Sequence, residues 1–183
     1  MVGLWGGSSL IRSIQYGVVT TASGTNNQTA TITAVVPENC LFFHLGNAQL
    51  NGLNNYNAAY SAFRVELTNA TTATAIRYVA VADGFTYYSA FLVVEFHPGV
   101  IKSVQSGTKS LNTGGASTAT ITEVNASKAI VANLGFSETY ATMDRYTDGI
   151  YQTLTNSTTV SFYCAGGNSG SGQICGYRVV EFF

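Results

Sequence analysis

Thr29-Ala-Thr-Ile-Thr-Ala-Val35 alternates β-branched and small residues with a period of two, and it returns as Thr118-Ala-Thr-Ile-Thr-Glu-Val124. That alternation is the signature of a strand with two unlike faces. Working outward, Ile11-Arg-Ser-Ile-Gln-Tyr-Gly17 matches Ile101-Lys-Ser-Val-Gln-Ser-Gly107, and Leu45-Gly46 matches Leu134-Gly135. Leu67-Thr-Asn-Ala-Thr-Thr72 matches Leu154-Thr-Asn-Ser-Thr-Thr159, and Val93-Val-Glu-Phe96 matches Val179-Val-Glu-Phe182. The offset between matched positions drifts from 90 to 86 along the chain. The deletions fall between blocks, so the blocks are structural elements and the gaps are loops. The expected organisation is an N-terminal arm, 1–10, followed by two homologous β domains, 11–97 and 98–183.

Each repeat divides into about six short apolar or alternating runs separated by turn signals, with no sustained helical period. The expected fold is all-β: two tandem antiparallel sandwich or barrel domains. Gly24-Thr-Asn-Asn27 and Asn112-Thr-Gly-Gly115 read as hairpin turns, and Gly17 and Gly107 as β-bulge positions. Cys40–Leu45 and Ala129–Leu134 read as strands buried on both faces. Tyr56–Phe63 is the one stretch with room for a helical turn. His97-Pro-Gly99 links the domains, because proline cannot continue a strand. A domain of this size buries only about 60% of its unfolded surface, so docking of the copies or oligomer formation is expected to supplement each core.

Charged residues make up 9% of the chain and the net charge is −1, against about 25% charged residues in a typical globular protein. A nucleic-acid partner would require a basic stripe and a membrane surface clustered Lys and Arg, so neither is expected. A surface so poor in charge is weakly protected from association, which suits life inside an assembly. The opening Met-Val-Gly-Leu-Trp-Gly-Gly-Ser-Ser9 lacks the basic start and apolar core of a signal peptide, so export is not expected. Cys164 and Cys175 bracket a Gly-rich turn and could face each other across a hairpin. The first repeat has no such pair and Cys40 is left over, which favours reduced, buried thiols.

No catalytic constellation is legible. His44 and His97 have no counterpart histidine in the other repeat, Asp144 and Asp148 supply too few oxygen ligands for calcium, and no phosphate loop or nucleophile elbow occurs. The chain is therefore expected not to be an enzyme and to carry no metal or cofactor. Arg12 matches Lys102 and Glu95 matches Glu181; each pair is expected to meet across neighbouring first and last strands and to hold register. Contact residues are sought where the repeats differ. These are the loop tyrosines Tyr56, Tyr60, Tyr87, Tyr88, Tyr140 and Tyr146, and the arm residues Leu4, Trp5 and Leu10, with Trp5 as an apolar anchor for a neighbouring subunit.

The blocks Ile-Lys-Ser-Val-Gln-x-Gly, Thr-Ala-Thr-Ile-Thr-x-Val, Leu-Thr-Asn-x-Thr-Thr and Val-Val-Glu-Phe resemble small β-repeat proteins among the structural genes of tailed bacteriophages. The resemblance spans Ile11 to Phe183. It implies a virion component, foremost a capsid decoration or cement protein on the outer capsid surface, assembled in the host cytoplasm. Its implied partners are the major capsid protein and copies of itself, a trimer being preferred to a dimer because six repeats would form a pseudo-sixfold ring. The alternative is a carbohydrate- or receptor-binding module of a tail or fibre. A secreted adhesin is disfavoured by the missing signal peptide.

Overall fold

A computed structural model describes residues 9–50, 62–77, 84–111, 116–138, 149–165 and 173–183. The first repeat contributes β1 (Ile11–Thr21), β2 (Asn27–Thr31), β3 (Cys40–Leu50), β4 (Arg64–Asn69), β5 (Thr72–Ile76) and β6 (Thr86–Phe96). The second contributes β7 (Ile101–Leu111), β8 (Ala116–Thr120), β9 (Ala129–Glu138), β10 (Gly149–Asn156), β11 (Thr159–Ala165) and β12 (Gln173–Phe182). The fold is all-β with antiparallel pairing, six strands to a repeat among the described residues.

Within the first repeat, β1-β6-β3 form one sheet and β2-β5-β4 another; in the second, β7-β12-β9 and β8-β11-β10 take the same places. The two sheets of each repeat face each other over a core. Phe42, Phe63, Tyr87, Phe91 and Val93 fill the first; Leu111, Phe162, Tyr177 and Val179 fill the second. β6 shows why: Tyr87, Ser89, Phe91, Val93 and Glu95 point inward on every second residue, and the residues between them stay half-exposed.

Sequence and structure part company at three places. Gly24–Asn27 is not a hairpin, because β1 pairs with β6 and β2 with β5; the turn carries the chain from one sheet to the other. Gly17 and Gly107 sit in regular register. A Cβ on Gly17 would lie 2.2 Å from Phe91 Cζ and one on Gly107 2.7 Å from the Tyr177 hydroxyl, so each glycine makes room for an aromatic ring on the neighbouring strand. Register shifts lie instead near the start of β1 and of β7, between Leu67 and Asn69 and between Leu154 and Asn156. Those with most consequence lie between His44 and Gly46 in β3 and opposite Cys175–Tyr177 in β9. β3 is buried on both faces only at its start, since Leu45 stands in solvent. Pro37–Asn39 and Ala126–Lys128 each form one 3-10 turn.

The two repeats are joined by strand pairing, by inserted side chains and by the hydrogen bonds of Arg178 to the Cys40 and Pro37 carbonyls. Arg64 of β4 pairs with Gly135 of β9, which fuses β2-β5-β4 and β9-β12-β7 into one six-stranded sheet. Leu134, a residue of the second repeat, is packed into the core of the first. A separate cluster places Leu41, Phe43 and Val94 against Ile101, Val104 and Val180. Between β6 and β7, His97 to Val100 form a tight turn, with Gly99 at φ +85°.

Candidate functional site

Identical ties hold both repeats in shape. The Arg12 guanidinium donates to Glu95 at 3.0 Å and the Lys102 ammonium to Glu181 at 2.9 Å. Ser13 and Ser103 donate to the other carboxylate oxygens, and the backbone N–H groups of Val36 and Asn125 donate to Glu95 and Glu181 at 3.0 and 2.8 Å. Both carboxylates are buried while Arg12 and Lys102 are half-exposed. Their main task is thus to anchor the segment that crosses from β2 to β3, or from β8 to β9, with register as a by-product. The Asn125 N–H foremost, then the Lys102 ammonium, hold the Glu181 carboxyl below its usual range.

Gln15 and Gln105 act beside them. Each side-chain amide donates to and accepts from one crossover residue, Thr33 or Thr122, as a further strand would. Both glutamines stand in matched blocks, which was the available signal for them. Burial, with Glu95 nearby, pushes the Cys40 thiol up to about 12; its Sγ donates to the Val36 carbonyl. Cys175 is buried, and the Cys164 side chain lies outside the described residues.

With the scaffold so alike, differences in exposure between the repeats mark the candidate surface. The outward face of β12 is covered by the first repeat, and β12 is buried on both sides from Cys175 to Glu181. Its counterpart β6 is buried on one side only. Among the described residues the outward face of β1-β6-β3 is covered by the second repeat only around Leu41, Phe43 and Val94. Elsewhere it is uncovered and presents Ile14, Tyr16 and Val18 at alternate positions of β1, 50%, 75% and 50% exposed, with Leu45 beside them. Val18, Leu45, Ala48, Tyr88 and Ala90 line a shallow, mainly apolar depression of about 360 Å³ on this face. An exposed strip of large apolar side chains on rigid strands marks a contact surface.

The bulge in β3 explains how Leu45 comes to project. An extra residue in one strand bends it and re-aims its side chain; Gly46 then takes φ +142°. The same device in β9, with Gly135 at φ +83°, drives Leu134 into the first repeat. Around that insertion, Arg178 is buried and donates to the Cys40 carbonyl at 3.1 Å, to the Ser106 hydroxyl at 3.0 Å and to the Pro37 carbonyl. Desolvation lowers the pKa of Arg178 from its ordinary value. Burial likewise lowers that of His44, whose Nε2 meets Asn47 Oδ1 at 2.9 Å.

The expected contact residues are distributed unevenly. Leu4, Trp5, Tyr56, Tyr60, Tyr140 and Tyr146 lie outside the described residues, as do Asp144 and Asp148. Leu10 is exposed, and its carbonyl accepts from the His97 N–H. Tyr87 is corrected from a loop contact to a core residue: it lies in β6, fully buried against Phe63 and beneath the Arg77 guanidinium. Tyr88, next along the strand, points the other way and lines the depression. The apolar positions 14, 16, 18 and 45 were missed, although Tyr16 and Val18 facing Ser106 and Thr108 in the matched block was a visible signal. At the far end of the second repeat, Tyr151 and Tyr163 stack with centroids 5.2 Å apart, 60% and 41% exposed. Among the described residues no three His, Cys, Asp or Glu side chains converge as a metal site. No protein-family profile, curated protein or solved structure matches the chain.

Proposed function

We propose that this chain is a structural protein of a bacteriophage virion that decorates the capsid shell and cements its subunits. The observation that carries this reading is the uncovered apolar face of Ile14, Tyr16, Val18 and Leu45 on a rigid, doubly tied β scaffold. Such a surface gains by burial against a protein partner, at about 25 cal/mol per Å² of apolar area. The low charge of the whole chain and the resemblance of its repeated blocks to phage structural proteins point the same way. A decorator that binds only assembled shell stabilises that shell by mass action.

The test is to mix the purified chain with shells of the major capsid protein that lack it. Saturable co-sedimentation and a raised melting temperature of the shell are expected; a shell that neither binds the chain nor melts higher in its presence overturns the proposal. A second reading, a glycan- or receptor-binding module of a tail or fibre, is favoured by the stacked Tyr151 and Tyr163, since flat aromatic faces suit sugar rings. Specific signals on a glycan array, with no affinity for shells, would select it.

A further inference from the structure

We infer that copies of this chain associate head to tail, the first repeat of one copy docking on the second repeat of the next through the exposed counterparts of the surfaces that join the repeats within the chain. The inference goes beyond capsid decoration but draws on part of the same face, so a second copy and a shell subunit would compete for it; self-association is therefore read in the absence of shells.

The joint between the repeats is heterologous in part: Leu134 and the outward side of β12 meet the first repeat's core, the β4 edge and the start of β3. Elsewhere in the joint counterparts meet, Val94 with Val180 in one cluster and Phe96 against Phe182 at 5.7 Å. Because the repeats share one fold, each heterologous surface has a second version elsewhere in the molecule, and among the described residues those second versions are exposed. Leu134 is 3% exposed inside the joint, whereas its counterpart Leu45 is 53% exposed. Leu41 and Ile101 are each 7% exposed, whereas their counterparts Ile130 and Ile11 stand at 38% and 37%. The Arg64 side chain is 15% exposed at the β4 edge, whereas Tyr151 at the matching edge of β10 is 60% exposed.

The backbone repeats the pattern. At Gly135 a Cβ would lie 2.5 Å from the Phe63 carbonyl oxygen and 3.1 Å from Arg64 Cα, so glycine admits the neighbouring strand. At Gly46, which also has positive φ, an added Cβ would meet nothing within 4 Å among the described residues. Among the described residues the space that β4 fills beside Gly135 is open beside Gly46, and β10 of another copy is the strand whose place in its repeat matches that of β4. The chemistry is also matched. Where the buried Arg178 of the internal joint donates to Ser106, the open face carries Leu92 and Tyr16, and it would meet Tyr151 where the internal joint has Arg64. An apolar face thus meets an apolar edge. A heterologous contact of this kind closes into a ring when the rotation permits and otherwise continues as a filament.

The test is the mass of the purified full chain by sedimentation velocity and light scattering over a range of concentrations, for the wild type, Leu45→Asp and Tyr151→Arg. Wild type should show a mass that is a multiple of the 19.3 kDa chain. Leu45→Asp should sediment at the single-chain mass with an unchanged circular dichroism spectrum, since the side chain is exposed in the isolated chain. Tyr151→Arg alters the opposite side of the same joint and should give the same result, which decides the matter if Leu45→Asp fails to fold. A wild-type chain of single mass at every concentration overturns the inference, and so does a folded Leu45→Asp or Tyr151→Arg variant with the wild-type mass.

Discussion

Leu134 and Leu45 provide one substitution at two matched positions with opposite surroundings. Leu134→Ala removes three carbons from a side chain that the first repeat encloses. At about 0.8 kcal/mol per buried carbon the transfer loss is about 2.4 kcal/mol, and the cavity left between two repeats raises the total to about 3–4 kcal/mol. Leu45→Ala removes the same atoms from a side chain half in water, so it should cost about 1 kcal/mol or less in the isolated chain. Urea unfolding followed by circular dichroism, at protein concentrations where sedimentation gives the single-chain mass, measures both. With a urea m-value of about 2 kcal/mol/M, the Leu134→Ala midpoint should fall by about 1.5–2 M and that of Leu45→Ala by about 0.5 M or less. Equal shifts, or a Leu134→Ala cost under about 1 kcal/mol, would refute the insertion of Leu134 into the first repeat.

Glu95→Ala leaves the Val36 N–H and the Ser13 hydroxyl without their acceptor and should cost about 2–3 kcal/mol in urea unfolding, whereas Arg12→Ala, at the exposed end of the same tie, should cost under about 1 kcal/mol; the reverse order would show that the ion pair and not the backbone anchor matters. The Glu181 carboxyl is held below its usual value when folded, so the unfolded chain takes up the proton first as pH falls. Its stabilisation is complete above the unfolded value of about 4.3 and is lost as pH drops through the folded value. Urea midpoints of Glu181→Gln should therefore depend less on pH below about 4.5 than those of wild type, and an unchanged acid limb contradicts the assignment. Gly17→Ala drives a methyl into the Phe91 ring and should destabilise by about 1–3 kcal/mol; most of that cost should disappear in a Phe91→Leu background, and a cost that persists there points to the backbone.

The six-strand unit and its ionic ties were legible in the sequence because duplication exposed them: positions that stay alike in both copies mostly have local or within-repeat duties, Leu134 and Gly135 being exceptions that also join the repeats. Arg12 with Glu95 and Lys102 with Glu181 come together across neighbouring strands, although their buried carboxylates and backbone donors could not be read from residue type. The hairpin reading of Gly24–Asn27 failed because turn chemistry specifies a reversal of direction, not which strand lies alongside. The loop reading of Tyr87 failed because Tyr87 and Tyr88 are chemically alike and only strand phase separates core from surface. The candidate face was hidden for a related reason. The outward residue Leu92 is apolar and half-exposed, while its counterpart Arg178 is charged and buried, so burial there follows the packing of one repeat on the other and runs against hydropathy.

The most direct test of the proposed function is to count the copies bound when the purified chain is added in excess to capsid shells that lack it. A decoration protein predicts saturation at copies in proportion to the shell's subunits, with binding weakened by charge placed on the uncovered face, as in Tyr16→Asp. Absence of binding, or a few copies confined to one vertex or tail, would contradict it.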